Sequence, residues 1–459
     1  CIMERRQRIT IYSLFYTDFF TYRYRFVEMK CGNTDGGPDQ IGTFINVNTR
    51  VVERTLIKMK RHYKVVIIFV VLVIRILNNC FYDEPLIKNQ KIIVLDQSEN
   101  TVTETINNKK EIRPMKYILQ WTSPRSVPFV FMGKGQDGFI ERGCPYTNCY
   151  VTGNKQYLDD ITKFDVVAFS GPEVIRLSQS SLPTKRSPHQ KYVFASIESS
   201  DYYPVCSNRY DGFFNWTWTF RLDSEVRWGY FNIWDKNGNV VGPNKIMHWI
   251  ELEDMDPISD ELKEQLRKKT KAAAWFVSNC VSKSKREKYT KDLQNELKKY
   301  NLEVDVYGKC GPLKCDRSKE KDCNQMLTEQ YYFYLSFENS FSEDYVTEKL
   351  LNAVENDVVP IVFGAANYTR LFLPPGTYLD ARELGVEALA AKMNELMNNF
   401  EEYANMFRWK NHYTYLRKFE SVHTNEYCLF CTILNDEEKV KEKKIYQDFR
   451  GWWDTKGRC

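Results

Sequence analysis

YYFYLSFENSFSEDYVTEKLLNAVENDVVPIVFG, residues 331–364, decides the fold. Tyr331 to Phe337 is a short apolar and aromatic run that reads as a buried strand. A polar loop follows, and then Val346, Leu350 and Val354 recur at helical spacing within Tyr345 to Val354. Val358 to Phe363, closed by Gly364, is a second strand. Strand, helix, strand at this spacing is the building unit of a parallel sheet. Asp344 is placed to cap the helix. The helix start is an expected anion site, because backbone N–H groups and the positive dipole end meet there and Lys349 adds a full charge for a phosphate. A capped surface helix carrying Glu and Lys accounts for the same residues.

The grammar repeats outward. Ala272 to Ser278 is strand-like, Lys283 to Tyr300 reads as an amphipathic helix with a basic face, and Val304 to Tyr307 as another strand. Tyr117 to Trp121, Val166 to Phe169 and Tyr192 to Ile197 are short apolar strands of an earlier half. Two such halves, joined near residues 250–270, predict an α/β protein of two Rossmann-like domains facing across a cleft, with ligands at the carboxyl ends of the strands. Asp254-Met255-Asp256 is an Asp-x-Asp triplet of the kind that holds a divalent ion. Its place before a helix-starting Pro257 reads instead as a linker or cap. The charge run Asp436 to Lys444 reads as a solvated helix face.

The chain has 459 residues, 43% hydrophobic and 27% charged, which suits two domains plus attachments. With 65 basic and 60 acidic side chains the net charge is +5, too small and too dispersed to argue for a nucleic-acid partner. The aromatic content of 15% suits core packing as well as sugar faces. Thirteen cysteines point to an oxidising compartment. The sequons at Asn215 and Asn367 point the same way. Val65 to Ile74 is an unbroken apolar run preceded by Lys58, Lys60, Arg61, His62 and Lys64. By the positive-inside rule it reads as a type II membrane anchor over residues 65–82, with a cleaved signal peptide or a buried strand as alternatives. Residues 83–112 are polar with little period and read as a stem. Residues 1–58 show no clear period, and translation is expected to begin at Met59.

The string SFENS followed by DYVTEKL and VPIVFG resembles the signature of the α1,3-fucosyltransferase family. That resemblance implies an inverting enzyme with a GT-B fold, GDP-fucose as donor and no cofactor, any divalent ion that stimulates it not being held by the protein. It places Asn339, Tyr345, Glu348 and Lys349 at the GDP-fucose site. Val277-Ser278-Asn279 with Arg286 resembles the motif whose Ser, Asn and Arg contact nucleotide and diphosphate, and Thr219 to Ser224 with Tyr230 resembles the segment beside the donor. Tyr192 to Ser199 resembles the strand ending in the catalytic carboxylate, which makes Glu198 the expected base; read without the resemblance, Glu198 is equally a surface residue ending a strand. Cys428-Leu429-Phe430-Cys431 alone could be redox-active or half a zinc site. The resemblance implies disulfides instead, Cys144 with Cys428 and Cys149 with Cys431, and leaves Cys206, Cys280, Cys310, Cys315 and Cys323 without assigned partners.

The segment Tyr307 to Cys315 with Cys323, and Glu198-Ser199-Ser200 in place of an ESP triplet, resemble the core type of arthropods and plants, which modifies the innermost GlcNAc of N-glycans. The cysteines that outer-arm members carry are replaced by Ala274 and Gln330. The expected organisation is a cytosolic segment 1–64, the anchor 65–82, a stem 83–113, an acceptor domain 114–265, a GDP-fucose domain 266–420 and a segment 421–459 packing back on the acceptor domain. The expected setting is the Golgi membrane with the catalytic part lumenal, and the partners are GDP-fucose and N-glycans on glycoproteins. Outer-arm fucosylation of N-acetyllactosamine and an inactive glycan-binding protein are the competing readings.

Overall fold

The computed structural model describes residues 8–16, 22–33, 43–53, 113–315, 320–417, 425–454, 457 and 459. Residues 1–107 and 108–459 are two compact units. In the first, β1 (Arg8–Tyr16), β2 (Tyr22–Asn33) and β3 (Thr43–Glu53) form an antiparallel sheet in that order. The sequence shows no clear period here, yet it is rich in Tyr, Phe, Ile, Val and Thr, whose side chains favour extended backbone. The expected anchor and the stem up to residue 112 lie outside the described residues. Among the described residues no helix is long and apolar enough to cross a membrane.

The second unit holds two parallel sheets. The first runs β5 (Cys149–Thr152), β4 (Lys116–Gln120), β6 (Val166–Ser170), β7 (Lys191–Ser196), β8 (Trp216–Thr219), β9 (Val226–Arg227) in spatial order. Alternation sorts its residues to two faces. Ile118, Val166, Ala168, Val193 and Ala195 point to one core, while Leu119, Val167, Phe169, Tyr192 and Phe194 point to the other. Its crossovers carry only short helical turns such as Asp137–Ile140 and Gly171–Val174.

The second sheet has the order β13 (Val304–Tyr307), β12 (Lys271–Phe276), β14 (Tyr331–Phe337), β15 (Val359–Phe363), β16 (Leu379–Asp380). Full helices accompany it: α1 (Asp260–Arg267), α2 (Arg286–Leu297), α3 (Glu320–Gln330), α4 (Glu348–Val354) and α5 (Ala381–Asn398). Between the two sheets, β10 (Phe231–Asp235) pairs antiparallel with β11 (Val240–Gly242) and with β17 (Tyr413–Arg417), so the end of the second half is hydrogen-bonded to the end of the first.

Three local expectations change. Ser259, not Pro257, begins α1: its side chain accepts from Leu262 N, while Asp254 ends a 3-10 turn and Asp256 lies 3.7 Å from His412 Nε2. α2 starts at Arg286 instead of Lys283, because Lys285 has φ 55° and Ser282 Oγ accepts from Arg286 N. α4 starts at Glu348 and not at Tyr345. Asp344 has φ 59° and turns its carboxylate to Leu222 N, 3.1 Å away, so it caps nothing; Thr347 is the N-cap.

The chain end returns to the first sheet. Helix α6 (Glu426–Asn435) lays Tyr427, Phe430 and Leu434 on one face, and α7 (Phe449–Trp453) lays Phe449 and Trp453 on the other. Cys144 bonds to Cys428 and Cys149 to Cys431, the pairing that the resemblance implies. The charge run Glu437–Lys441 is a short helix without buried residues. The remaining bridges among the described residues are Cys206–Cys459, Cys280–Cys310 and Cys315–Cys323.

Candidate active site

Three strand ends of the second sheet build one wall. Ser278 follows β12, Gly308 follows β13, and Glu338 follows β14; with Arg286, Tyr334, Glu348, Lys349 and Asn352 most of these surround a crevice of about 330 Å³. Arg286 is 4% exposed. Its Nη1 donates to Phe337 O at 2.5 Å and its Nη2 to Asn279 O at 3.5 Å, while its buried Nε has no partner. Burial holds its pKa below the ordinary arginine value. Its charge therefore acts from beneath the strand ends.

Lys349 Nζ reaches Thr347 Oγ1 at 2.6 Å, Glu348 Oε1 at 3.1 Å and Glu338 Oε2 at 3.2 Å. Burial acts to lower its pKa, but the Glu338 and Glu348 charges outweigh that and raise it, so the ammonium stays charged. Burial raises the pKa of the Glu338 carboxyl, with Lys349 opposing. Glu338, 1% exposed, accepts from Thr347 N at 2.8 Å and from Thr347 Oγ1. The anion site expected at the start of α4 is thus filled by the protein's own carboxylate. No role for Glu338 follows from the motifs above; its signal in the sequence is an acid at the end of a buried strand, nine residues before the Thr347 N-cap.

On the other side, β7 runs into Ile197 and Glu198. Tyr345 OH donates to Glu198 Oε2 at 3.2 Å, and Tyr230 OH donates to Ile197 O at 2.7 Å. The Tyr345 hydroxyl is pushed far above its usual pKa by burial and then by Tyr230, Glu198, Glu338 and Glu348, so it remains a neutral donor. Glu198, Tyr230 and Tyr345 are therefore brought together, next to the acids that hold Lys349. Ser278, Arg286, Glu348 and Lys349 share the crevice. Asn339 is half-buried and accepts from Ser340 Oγ at 2.9 Å, and exposed Asn279 donates from Nδ2 to Tyr202 OH at 3.2 Å. No group of three or more metal-ligating side chains occurs among the described residues.

The two sequons differ. Asn215 is built into the fold: its Oδ1 accepts from Tyr192 N and from Arg186, and its Nδ2 donates to Lys444 O at 2.9 Å. Asn367 is exposed and caps Tyr368–Leu371 through Oδ1, which leaves its nitrogen toward solvent.

The family model described as "Glycosyltransferase family 10 (fucosyltransferase) C-term" matches residues 266–452, and "Fucosyltransferase, N-terminal" matches residues 113–231. The chain belongs to this fucosyltransferase family. It is similar to "Alpha-(1,3)-fucosyltransferase C" of Drosophila melanogaster, 38% identical over 68% of this chain and 71% of the relative. To "Glycoprotein 3-alpha-L-fucosyltransferase A" of the same organism it is 31% identical over 71% of this chain and 58% of the relative. A structure titled "Crystal Structure of alpha1,3-Fucosyltransferase with GDP-fucose" is a distant likeness, with TM-score 0.42 and 14% identity over 76% of this chain and 96% of that one. The fucosyltransferase is thus an enzyme, a glycosyltransferase, and its matched segments contain both sheets and every candidate residue above.

Proposed function

We propose that this fucosyltransferase moves L-fucose from GDP-fucose, with inversion and in α1,3 linkage, to the innermost GlcNAc of N-glycans. The observation that carries the reading is the contact of Glu198 with Tyr345, a tyrosine that also feels the charges of Glu338 and Glu348, the two acids that hold Lys349. The acceptor hydroxyl loses its proton to Glu198 as its oxygen bonds to the fucose anomeric carbon. The bond to the diphosphate breaks on the opposite face, and its electron pair leaves with GDP. Lys349 and the buried Arg286 offset the charge that develops. Glu338 and Glu348 hold the Lys349 ammonium charged and in place at the crevice.

The core reading draws on the segment Tyr307 to Cys315 with Cys323, which resembles the core type; a glycoprotein acceptor agrees with the printed name of the second relative. We further propose the Golgi lumen as setting, with residues 65–82 as a type II anchor, which the five disulfides among the described residues support. The test is transfer from GDP-fucose to a core-exposed N-glycan and to a lactosamine oligosaccharide, in EDTA, by wild type and Glu198→Gln. The expected result is transfer to the core substrate by wild type only, with GDP binding kept by the variant. Full activity of Glu198→Gln, or preference for lactosamine, overturns the corresponding half of the reading.

A further inference from the structure

Four serines that the reaction above leaves unused join the two halves. Ser199 and Ser200 follow Glu198 directly, and Ser340 and Ser342 lie between β14 and α4. Ser199 Oγ is 2.6 Å from Ser340 Oγ, and Ser200 Oγ is 2.8 Å from Ser342 Oγ. Between them Phe341 N donates to Asp201 Oδ2 at 3.2 Å. All four serines are buried.

Proton counting fixes a direction. Ser340 has one hydroxyl proton, which goes to Asn339 Oδ1 at 2.9 Å. Ser199 is therefore the donor to Ser340, and its own oxygen accepts from Tyr202 N at 3.3 Å. The Asn339 oxygen is tied, and its NH2 is the end left for a ligand. Two adjacent pairs resist sliding, because a shift of one residue would leave buried hydroxyls without partners.

We propose that Ser199, Ser200, Ser340 and Ser342 are positioning residues: the seam they form holds Glu198 in register with the donor loop and turns the Asn339 NH2 toward the donor. Misplacement of a catalytic group by about 1 Å costs roughly a hundred-fold in rate, so a seam ending one residue from the base has leverage on kcat. The inference rests on Glu198 being the base.

The test uses the full chain and measures steady-state transfer, GDP binding by calorimetry and thermal melting for Ser200→Ala, Ser342→Ala and the double variant. Each single variant is expected to lose about ten-fold in kcat while its GDP Kd stays within about two-fold, and the double is expected to be no worse than either single, since both break one bond. Ser342→Thr, which keeps the hydroxyl, should recover most of the rate. Ser340→Ala should in addition raise the GDP Kd, because it releases Asn339. Should an alanine variant fail to fold, Ser200→Gly takes its place in the cycle. Wild-type kcat in the single variants, losses that add, or a lowered melting temperature with kcat unchanged overturns the seam. Glu198→Gln run alongside separates the two ideas: if it is active the base assignment fails, and if it is inactive while the serine variants match wild type only the seam fails.

Discussion

Tyr345 shows how one hydroxyl serves the site, being buried, kept neutral and pointed at Glu198. Tyr345→Phe is expected to keep the fold and lose about ten-fold in kcat, the value of one hydrogen bond to a charged group, read by transfer kinetics. Lys349 pairs with Glu338, which is almost fully buried. Lys349→Met should abolish transfer and also cost about 3 kcal/mol of stability by stranding that carboxylate, measured by denaturant unfolding. Lys269 is a different case: burial lowers its pKa from the ordinary 10.5 to about 7, with Asp357 opposing and Lys410 adding to the shift. Between those values the unfolded chain binds a proton that the folded chain does not, so Lys269 makes stability rise with pH from about 7 to 10.5 and adds no slope below. The stability difference between wild type and Lys269→Met should therefore move in favour of wild type as pH increases through that window. At the sequons, glycopeptide mapping should find sugar on Asn367 and none on Asn215, whose amide is held within the fold.

Among the elements, the strands and helices of the second half were readable because each strand is a compact apolar run and each helix repeats apolar residues at helical spacing. β13 and β14 have the expected bounds, and β12 and β15 differ by two residues or fewer. The starts of α1 and α2 are set by nearby serines, Ser259 and Ser282, while the start of α4 depends on a distant partner. Asp344 turns to Leu222, a contact that local propensity cannot foresee. Donor-loop residues are recognisable from their resemblance to a family, whereas the serine seam carries no local signal. Helix α6 is held by two disulfides closing loops of more than 280 residues. Replacing Cys149 and Cys431 by Ala is expected to cost about 2–5 kcal/mol, read by thermal and denaturant unfolding with the other bridges intact.

Across the whole molecule, the first sheet depends on the far end of the chain. Its own crossovers are too short to cover its faces, and α6 and α7 supply Tyr427, Phe430, Phe449 and Trp453 to its two cores. Deleting residues 426–459 should leave a chain that does not fold to a soluble protein, checked by expression and size exclusion; a folded, active truncation would contradict this dependence. The sequence by itself determined the alternation of strands and helices, the two parallel α/β halves and the loop that resembles a donor site. These follow from side-chain periodicity and short motifs, both of which act over a few residues. Tertiary structure alone decided that Glu338 fills the start of α4, that Asn215 is built into the fold, that Ser199 and Ser200 meet Ser340 and Ser342, and which cysteines join the remaining bridges. Most of these are contacts between residues far apart in the chain, and even the nearer ones, Glu338 with Thr347 and Cys315 with Cys323, join residues beyond one helical turn, so their partners are chosen by how the elements pack.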